Sequence, residues 1–314
     1  MKRRLSYFIF IALLFPFSLF AQELFPHNDP ASNIPKGVLG VRLSNEFYKE
    51  INQVRSLQIY RFMFGLSSRW MLSQSFSFSN HHYKLLPEGM IVPHGGSGLA
   101  FHEMKMGNKY PYRFDTFTLS IRYRFLSRDA NHSHVRMAAV LDLGGGTEPH
   151  TNAEPNLMSD NGGLGIGWIT TVLKKKFALS LNTSFVLPAN YNEAFSNIQI
   201  RYGKALNLNL SVGYLLFPRT YQSYKQTNVN VYFELLGKTY GKGSMYKNDT
   251  LVSLFEAPAY GANSYLEGRP SLQFIFNSNT RIDLSCALPI LGRTLGRSYP
   301  TFYFNIQRYF YFKK

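Results

Sequence analysis

Thr116-Phe-Thr-Leu-Ser-Ile-Arg-Tyr-Arg-Phe125 decides how the rest of this chain is read. Phe117, Leu119, Ile121, Tyr123 and Phe125 fall on one face of an extended segment, and Thr116, Thr118, Ser120, Arg122 and Arg124 on the other, because side chains on a strand alternate with a period of two. The division recurs in Phe177-Ala-Leu-Ser-Leu-Asn-Thr-Ser-Phe185, in Leu206-Asn-Leu-Asn-Leu-Ser-Val-Gly-Tyr214 and in Asn228-Val-Asn-Val-Tyr-Phe-Glu-Leu235. The chain closes on the aromatic run Phe302-Tyr-Phe-Asn-Ile-Gln-Arg-Tyr-Phe-Tyr-Phe312. About a dozen such segments with almost no competing helical period make the chain all-β.

A soluble sandwich also alternates, with its apolar face turned inward, so three further features are needed to place that face against lipid. Lys2, Arg3 and Arg4 precede an apolar stretch from Tyr7 to Phe20 and then Ala21, the pattern of a secretory signal peptide over residues 1–21. Beyond it no run of about 18 apolar residues occurs, so no helical span is expected. Aromatic residues make up 16% of the chain, with 27 Phe and 21 Tyr, and Trp70, Tyr110, Tyr112, Trp168, Tyr214 and Tyr309 lie toward strand ends. Rings there suit the two lipid-water boundaries of a membrane barrel. The expected fold is a transmembrane antiparallel β-barrel of about 12 to 14 strands, exported to the outer membrane of a Gram-negative cell.

The formal charge is +16, and loss of the three leader cations leaves +13. In a cytosolic protein that balance suggests nucleic acid. Export removes that partner, and the expected ones are outer-membrane lipid, anionic lipopolysaccharide and a small solute, with the barrel-assembly machinery taking the aromatic C-terminal strand. Cys286, the single cysteine, rules out an intramolecular disulfide and shares a face with Ile282, Leu284 and Leu288, as an inert lipid-facing residue would.

The expected strands are Val38 to Glu46, Leu57 to Phe64, Trp70 to Asn80, Arg113 to Phe125, Val135 to Leu143, Gly163 to Leu173, Phe177 to Leu187, Asn197 to Tyr202, Leu206 to Leu216, Asn228 to Leu236, Pro270 to Phe276, Arg281 to Leu288 and Thr301 to Phe312. A barrel with both termini in the periplasm needs an even number, so a further strand near Lys238 to Tyr246 is expected, giving fourteen, with twelve as the alternative. Gly65 to Arg69, Lys174 to Lys176, Gly203 to Ala205 and Asn277 to Thr280 read as short periplasmic turns, and His81 to Tyr112, Gly144 to Asn161 and Gly237 to Gly268 as the long outer connections. Residues 22–37, with Pro26, Pro30 and Pro35, pair poorly in a sheet and form a periplasmic segment or a small plug ahead of a barrel over 38–314.

Turning the polar faces inward places Arg42, Arg61, Arg122, Arg124, Arg136, Arg201 and Arg281 in the lumen as solute-contacting candidates, with Glu46, Asp142, Glu234 and Asp283 as acidic partners. Arg or Lys on the lipid face costs about 2–4 kcal/mol near the midplane, which is the reason for the inward assignment. Two readings follow: a cationic pore favouring anionic or polar solutes, and a ladder of Arg-carboxylate pairs that fills the interior. A closed structural or surface-interaction barrel is therefore the alternative to a channel.

No catalytic residue, metal site or cofactor is expected. His81, His82, Met90, His94, His102, Met104 and Met106 gather in the first long loop, with His132 and His134 elsewhere, and they suit soft or borderline metals but match no zinc or copper spacing. Ser77, Ser79, His81 and His82 lack a motif for a hydrolytic triad. Gly144-Gly-Gly146 and Gly162-Gly-Leu-Gly-Ile-Gly167 do not lead from a strand into a helix, so they are thin wall positions rather than phosphate loops.

Phe64-Gly-Leu-Ser-Ser-Arg-Trp70, Tyr232-Phe-Glu-Leu-Leu-Gly237 and Pro270-Ser-Leu-Gln-Phe-Ile-Phe-Asn-Ser-Asn-Thr-Arg-Ile-Asp283, ending at Leu288-Pro-Ile290, resemble the outer-membrane transporter family named for the phenol meta-degradation pathway. The Ala21-Gln22 junction and aromatic terminus are similar to those of Bacteroidetes outer-membrane proteins. The resemblance implies a channel for small, often hydrophobic or aromatic molecules, and it carries no site residues over.

Overall fold

The structure is a computed structural model that describes residues 25–50, 53–80, 112–146, 153–159, 161–193, 197–220, 223, 225–252 and 258–312. The expected signal peptide over residues 1–21, Tyr110 and the His- and Met-rich part of the first long loop lie outside them.

Twelve antiparallel strands close into a barrel. They are β1 (Val38–Glu50), β2 (Gln53–Gly65), β3 (Trp70–Ser79), β4 (Arg113–Ala130), β5 (Ser133–Gly146), β6 (Gly163–Lys174), β7 (Phe177–Pro188), β10 (Ala205–Phe217), β11 (Asn228–Tyr240), β14 (Asn263–Phe276), β15 (Thr280–Leu291) and β16 (Thr301–Tyr311). Closure comes from β1 pairing with β16, in register from Val38 opposite Tyr311 to Phe47 opposite Phe302, which leaves neither strand an open edge. No helix among the described residues is long and apolar enough to cross a membrane.

The fourteen-strand expectation is corrected to twelve. Asn197 to Tyr202 does not join the wall, and neither does most of Lys238 to Tyr246. Instead β9 (Ile198–Arg201) pairs with β12 (Ser244–Lys247), and β8 (Tyr191–Glu193) and β13 (Thr250–Leu251) extend these into a separate four-stranded sheet. The two surplus segments satisfied each other. Strands of four residues reach about 13 Å and are too short to span the hydrocarbon. Gly203–Ala205, expected as a short turn at the terminal end, instead links this sheet to β10 at the opposite end.

The wall strands send most of their large apolar residues out. On β16, Phe302, Phe304, Ile306 and Phe310 are exposed on the outer surface while Tyr303, Asn305, Gln307 and Tyr309 are buried inside. Cys286 lies on the outer face of β15, between inward Ser285 and Ala287. Tyr309 is a correction: it points inward rather than to the outer boundary, packing with Ile34, Met63 and Met71 at the end of the barrel where β1 begins and β16 ends.

An eight-stranded barrel is filled by its own side chains, and a wider one leaves room. Here the room is increased by short inward side chains: Ser73, Ser75, Ser77 and Ser79 on β3, Thr171 on β6, Ser180 on β7 and Ser211 on β10 are all buried. Residues 25–36 occupy that space. Phe25, Ala31 and Ile34 are at most 1% exposed.

Candidate functional site in the barrel lumen

The segment 25–36 runs through the lumen without adding a strand, so its backbone groups are met by side chains from the wall. Glu234 on β11 accepts the backbone N–H groups of His27 and Asn28, both at 3.0 Å, and the Ser211 hydroxyl at 2.7 Å. Thr171 accepts the Ala31 N–H at 2.8 Å, and Asn182 donates to the Asp29 carbonyl at 3.0 Å. Arg42 donates to the Pro26 carbonyl. Prolines at 26, 30 and 35 bring no N–H of their own, which lowers the number of donors the lumen must satisfy.

Asp29 is the segment's charge. Its carboxylate lies 3.1 Å from Arg61 and 2.7 Å from Arg122. Arg122 also donates to the Pro30 carbonyl at 2.9 Å, and Arg136 to the Ser32 hydroxyl at 2.8 Å while pairing with Asp129 at 3.1 Å. Arg281 and Arg42 face Asp283 at 3.2 and 3.9 Å. The structure thus gathers Arg42, Arg61, Arg122, Arg136, Glu234, Arg281 and Asp283 on the inner wall. Arg124 sits on the same face as Arg122, opposite inward Ala138.

Arg201 is a correction. It lies exposed on β9, outside the lumen, with its guanidinium 4.8 Å from the Tyr246 ring centroid. Its alternating neighbours Ile198 and Ile200 fill a core beneath the small sheet rather than a lipid face.

At the end opposite the termini, two buried carboxylates close the mouth. Glu154, in the connection after β5, accepts from Lys238 at 3.3 Å, the Tyr265 hydroxyl at 2.7 Å, the Thr294 hydroxyl at 2.7 Å and the Leu295 N–H at 3.0 Å. Glu267 on β14 pairs with Arg269 at 2.7 Å and Arg297 at 2.8 Å and accepts the Tyr299 hydroxyl. Leu157 of the same connection lies over Gly144 and Gly165, where a Cβ would stand 3.2 Å from its side chain. The glycine-rich stretches are thin wall positions, as the sequence suggested.

Burial acts to raise the Glu154 carboxyl, but Lys238 and the hydrogen bonds from Thr294 and Tyr265 outweigh it and hold the group below its ordinary value of 4.5. The folded mouth binds this proton less readily than the open chain, so its contribution is complete above the ordinary value and is lost as pH falls through the lower folded one. Hydrogen exchange of the Leu295 amide, corrected for intrinsic rate, is expected to lose protection as pH drops below 4.5. In Glu154→Gln the loss is present at neutral pH, roughly ten- to hundred-fold for one charge-assisted bond. Unchanged protection in both would remove Glu154 from the closure.

Between this cover and the segment lies a chamber of about 180 Å³. His27, Asp29, Arg61, Asp142, Leu157 and Met158 contribute to its lining, and much of the remainder is Ser, Thr and Asn. Asp29, Glu154, Glu267, Arg269 and Arg297 escaped the sequence reading, although an alternation of inward Glu267, Arg269 and Ser271 runs unbroken through β14.

The chain is similar in structure to the COG4313 outer membrane channel from Pseudomonas putida F1, with a TM-score of 0.57 at 12% identity over 92% of this chain and 100% of that one. That likeness establishes a shared barrel fold. A NanC porin matches with a TM-score of 0.44 at 10% identity over 88% of this chain and 100% of that one, and a KdgM porin with 0.38 at 9% over 87% and 99%. No protein-family model matches the chain, and no curated protein does.

Proposed function

We propose that this protein is an outer-membrane channel for small solutes, with the lumen as its path and residues 25–36 as a removable plug. The observation that carries this reading is how the segment is held. It contributes no strand to the wall, and its contacts are side-chain hydrogen bonds, ion pairs and the seat of Ile34. Its departure would leave the barrel ladder intact.

The end with the termini and the short turns would face the periplasm and the long connections the exterior, where exposed cations meet lipopolysaccharide. Cleavage of residues 1–21 and delivery of the β16 end to the assembly machinery belong to the same proposal. The family resemblance implies hydrophobic or aromatic solutes, whereas the hydroxyl- and amide-rich chamber supports polar ones.

Planar-bilayer recordings test the reading. The refolded full barrel is expected to be mostly closed with rare openings, and a variant lacking 25–36 to conduct steadily. Silence from a folded, plug-less barrel would favour the closed structural alternative.

A further inference from the structure

We infer that Arg61 and Arg122 form a carboxylate-binding site for a transported monocarboxylate, and that Asp29 of the segment occupies it as an internal competitor. This rests on the channel reading above and names the solute for the same lumen.

The geometry is that of a receptor with its ligand in place. Two guanidinium groups from different strands, β2 and β4, converge on one carboxylate at 3.1 and 2.7 Å. Both arginines belong to the wall, whereas the carboxylate is borne by a segment outside it. Planar guanidinium forks match carboxylate geometry and hold it with charge-assisted bonds. Arg61 is oriented by the Ser75 hydroxyl at 3.3 Å, independently of Asp29.

Asp29 and Arg61 line the chamber of about 180 Å³, so a solute there has its acidic end beside Arg61 and meets Arg122 as Asp29 leaves. A cavity of roughly 150 Å³ admits benzene, which sets the solute's size at about six to eight non-hydrogen atoms. Its body would meet Leu157, Met158 and Ile169 on one side and hydroxyls such as Ser73 on the other.

Charge fixes the valence. Asp142, hydrogen-bonded by Ser120, faces the chamber and stays there when the segment leaves. The group displaced, the single carboxylate of Asp29, carries one negative charge, so a monocarboxylate replaces it charge for charge. A solute carboxylate that takes the pair displaces Asp29 and weakens the hold on the segment, so entry of solute and opening of the path become one event.

Competition has a signature that a merely structural salt bridge lacks: removing Asp29 strengthens binding. Calorimetric titration of the detergent-refolded full barrel with butanoate, and with neutral butanamide as control, reads it. The wild type is expected to bind butanoate weakly and butanamide not at all. Asp29→Ala and the more conservative Asp29→Asn are expected to bind butanoate at least ten-fold more tightly. Arg61→Gln and Arg122→Gln lose binding, each variant being checked for the heat-dependent gel mobility of a folded barrel. In the bilayer, butanoate raises the opening frequency of the wild type and butanamide does not. Butanoate affinity that is unchanged in both Asp29 variants, or retained in Arg122→Gln, overturns the assignment. A silent plug-less barrel would instead sink the channel reading, so the two failures are separable.

Discussion

Glu267→Leu is expected to lower the stability of the folded barrel by about 3–5 kcal/mol, the usual cost of removing one partner from a buried ion pair. The Glu267 side chain is 1% exposed and holds two arginines, Arg269 and Arg297, whose side chains are 7% and 14% exposed. Leucine fills similar volume but leaves Arg269 with the edge of His27 at 2.9 Å and the Tyr303 ring at 4.6 Å, and Arg297 with Glu46 at 3.7 Å. Glu267→Gln keeps one acceptor and is expected to cost less. The double variant Glu267→Leu/Arg269→Met should recover part of the loss, since it removes a stranded cation. Guanidinium unfolding midpoints measured by intrinsic fluorescence separate the three. A Glu267→Leu midpoint close to the wild type would mean that the cluster is solvated and that the mouth is held elsewhere.

The wall was legible because an apolar outer face and a polar inner face impose a period of two over ten or more residues. Every strand of the barrel coincides with one of the thirteen expected segments. β14 shows where the expected segment stopped short of the strand. Pro270 sits in the middle of it, and the pairing with β15 skips from Gly268 opposite Leu288 to Ser271 opposite Ser285. A proline has no N–H for the ladder, so a strand that carries one reads as ending there. Glu267 and Arg269 were lost with the half-strand before it.

Arg201 failed for a different reason. β9 alternates like a wall strand because it also has one buried face, but that face rests on Tyr202, Tyr240 and Tyr260 rather than lipid. Alternation reports a half-buried strand and not what buries it. The lumen contents were beyond sequence pattern altogether. Asp29 meets Arg61 and Arg122 across 32 and 93 positions of chain, and nothing periodic links them. The prolines showed that residues 22–37 could not join a sheet, and the alternation showed polar groups facing inward. Only the register of the closed barrel brings the two together.

That register makes Glu234 the strongest single hold on the segment, and Glu234→Ala is expected to release it. Its carboxylate is 0% exposed and takes two consecutive backbone N–H groups, of His27 and Asn28. Each bond to a charged group contributes about 1.5–3 kcal/mol, so losing the pair costs the docked state roughly 3–6 kcal/mol. Alanine offers no replacement acceptor, and the two N–H groups regain partners only by leaving the wall for water. The seat of Ile34 and the Asp29 pair remain, so release is an equilibrium rather than a loss of fold. Ser32→Cys, a near-isosteric change at a residue 1% exposed, reports it when Cys286 is replaced by serine. A membrane-impermeant maleimide should label this thiol at least about a hundred-fold faster in Glu234→Ala than with Glu234 present, as about 3 kcal/mol requires. Glu234→Gln, which keeps one carbonyl acceptor, should fall between. Equal rates in all three would show that the carboxylate does not hold the segment, and the wall arginines would then have to account for its docking alone.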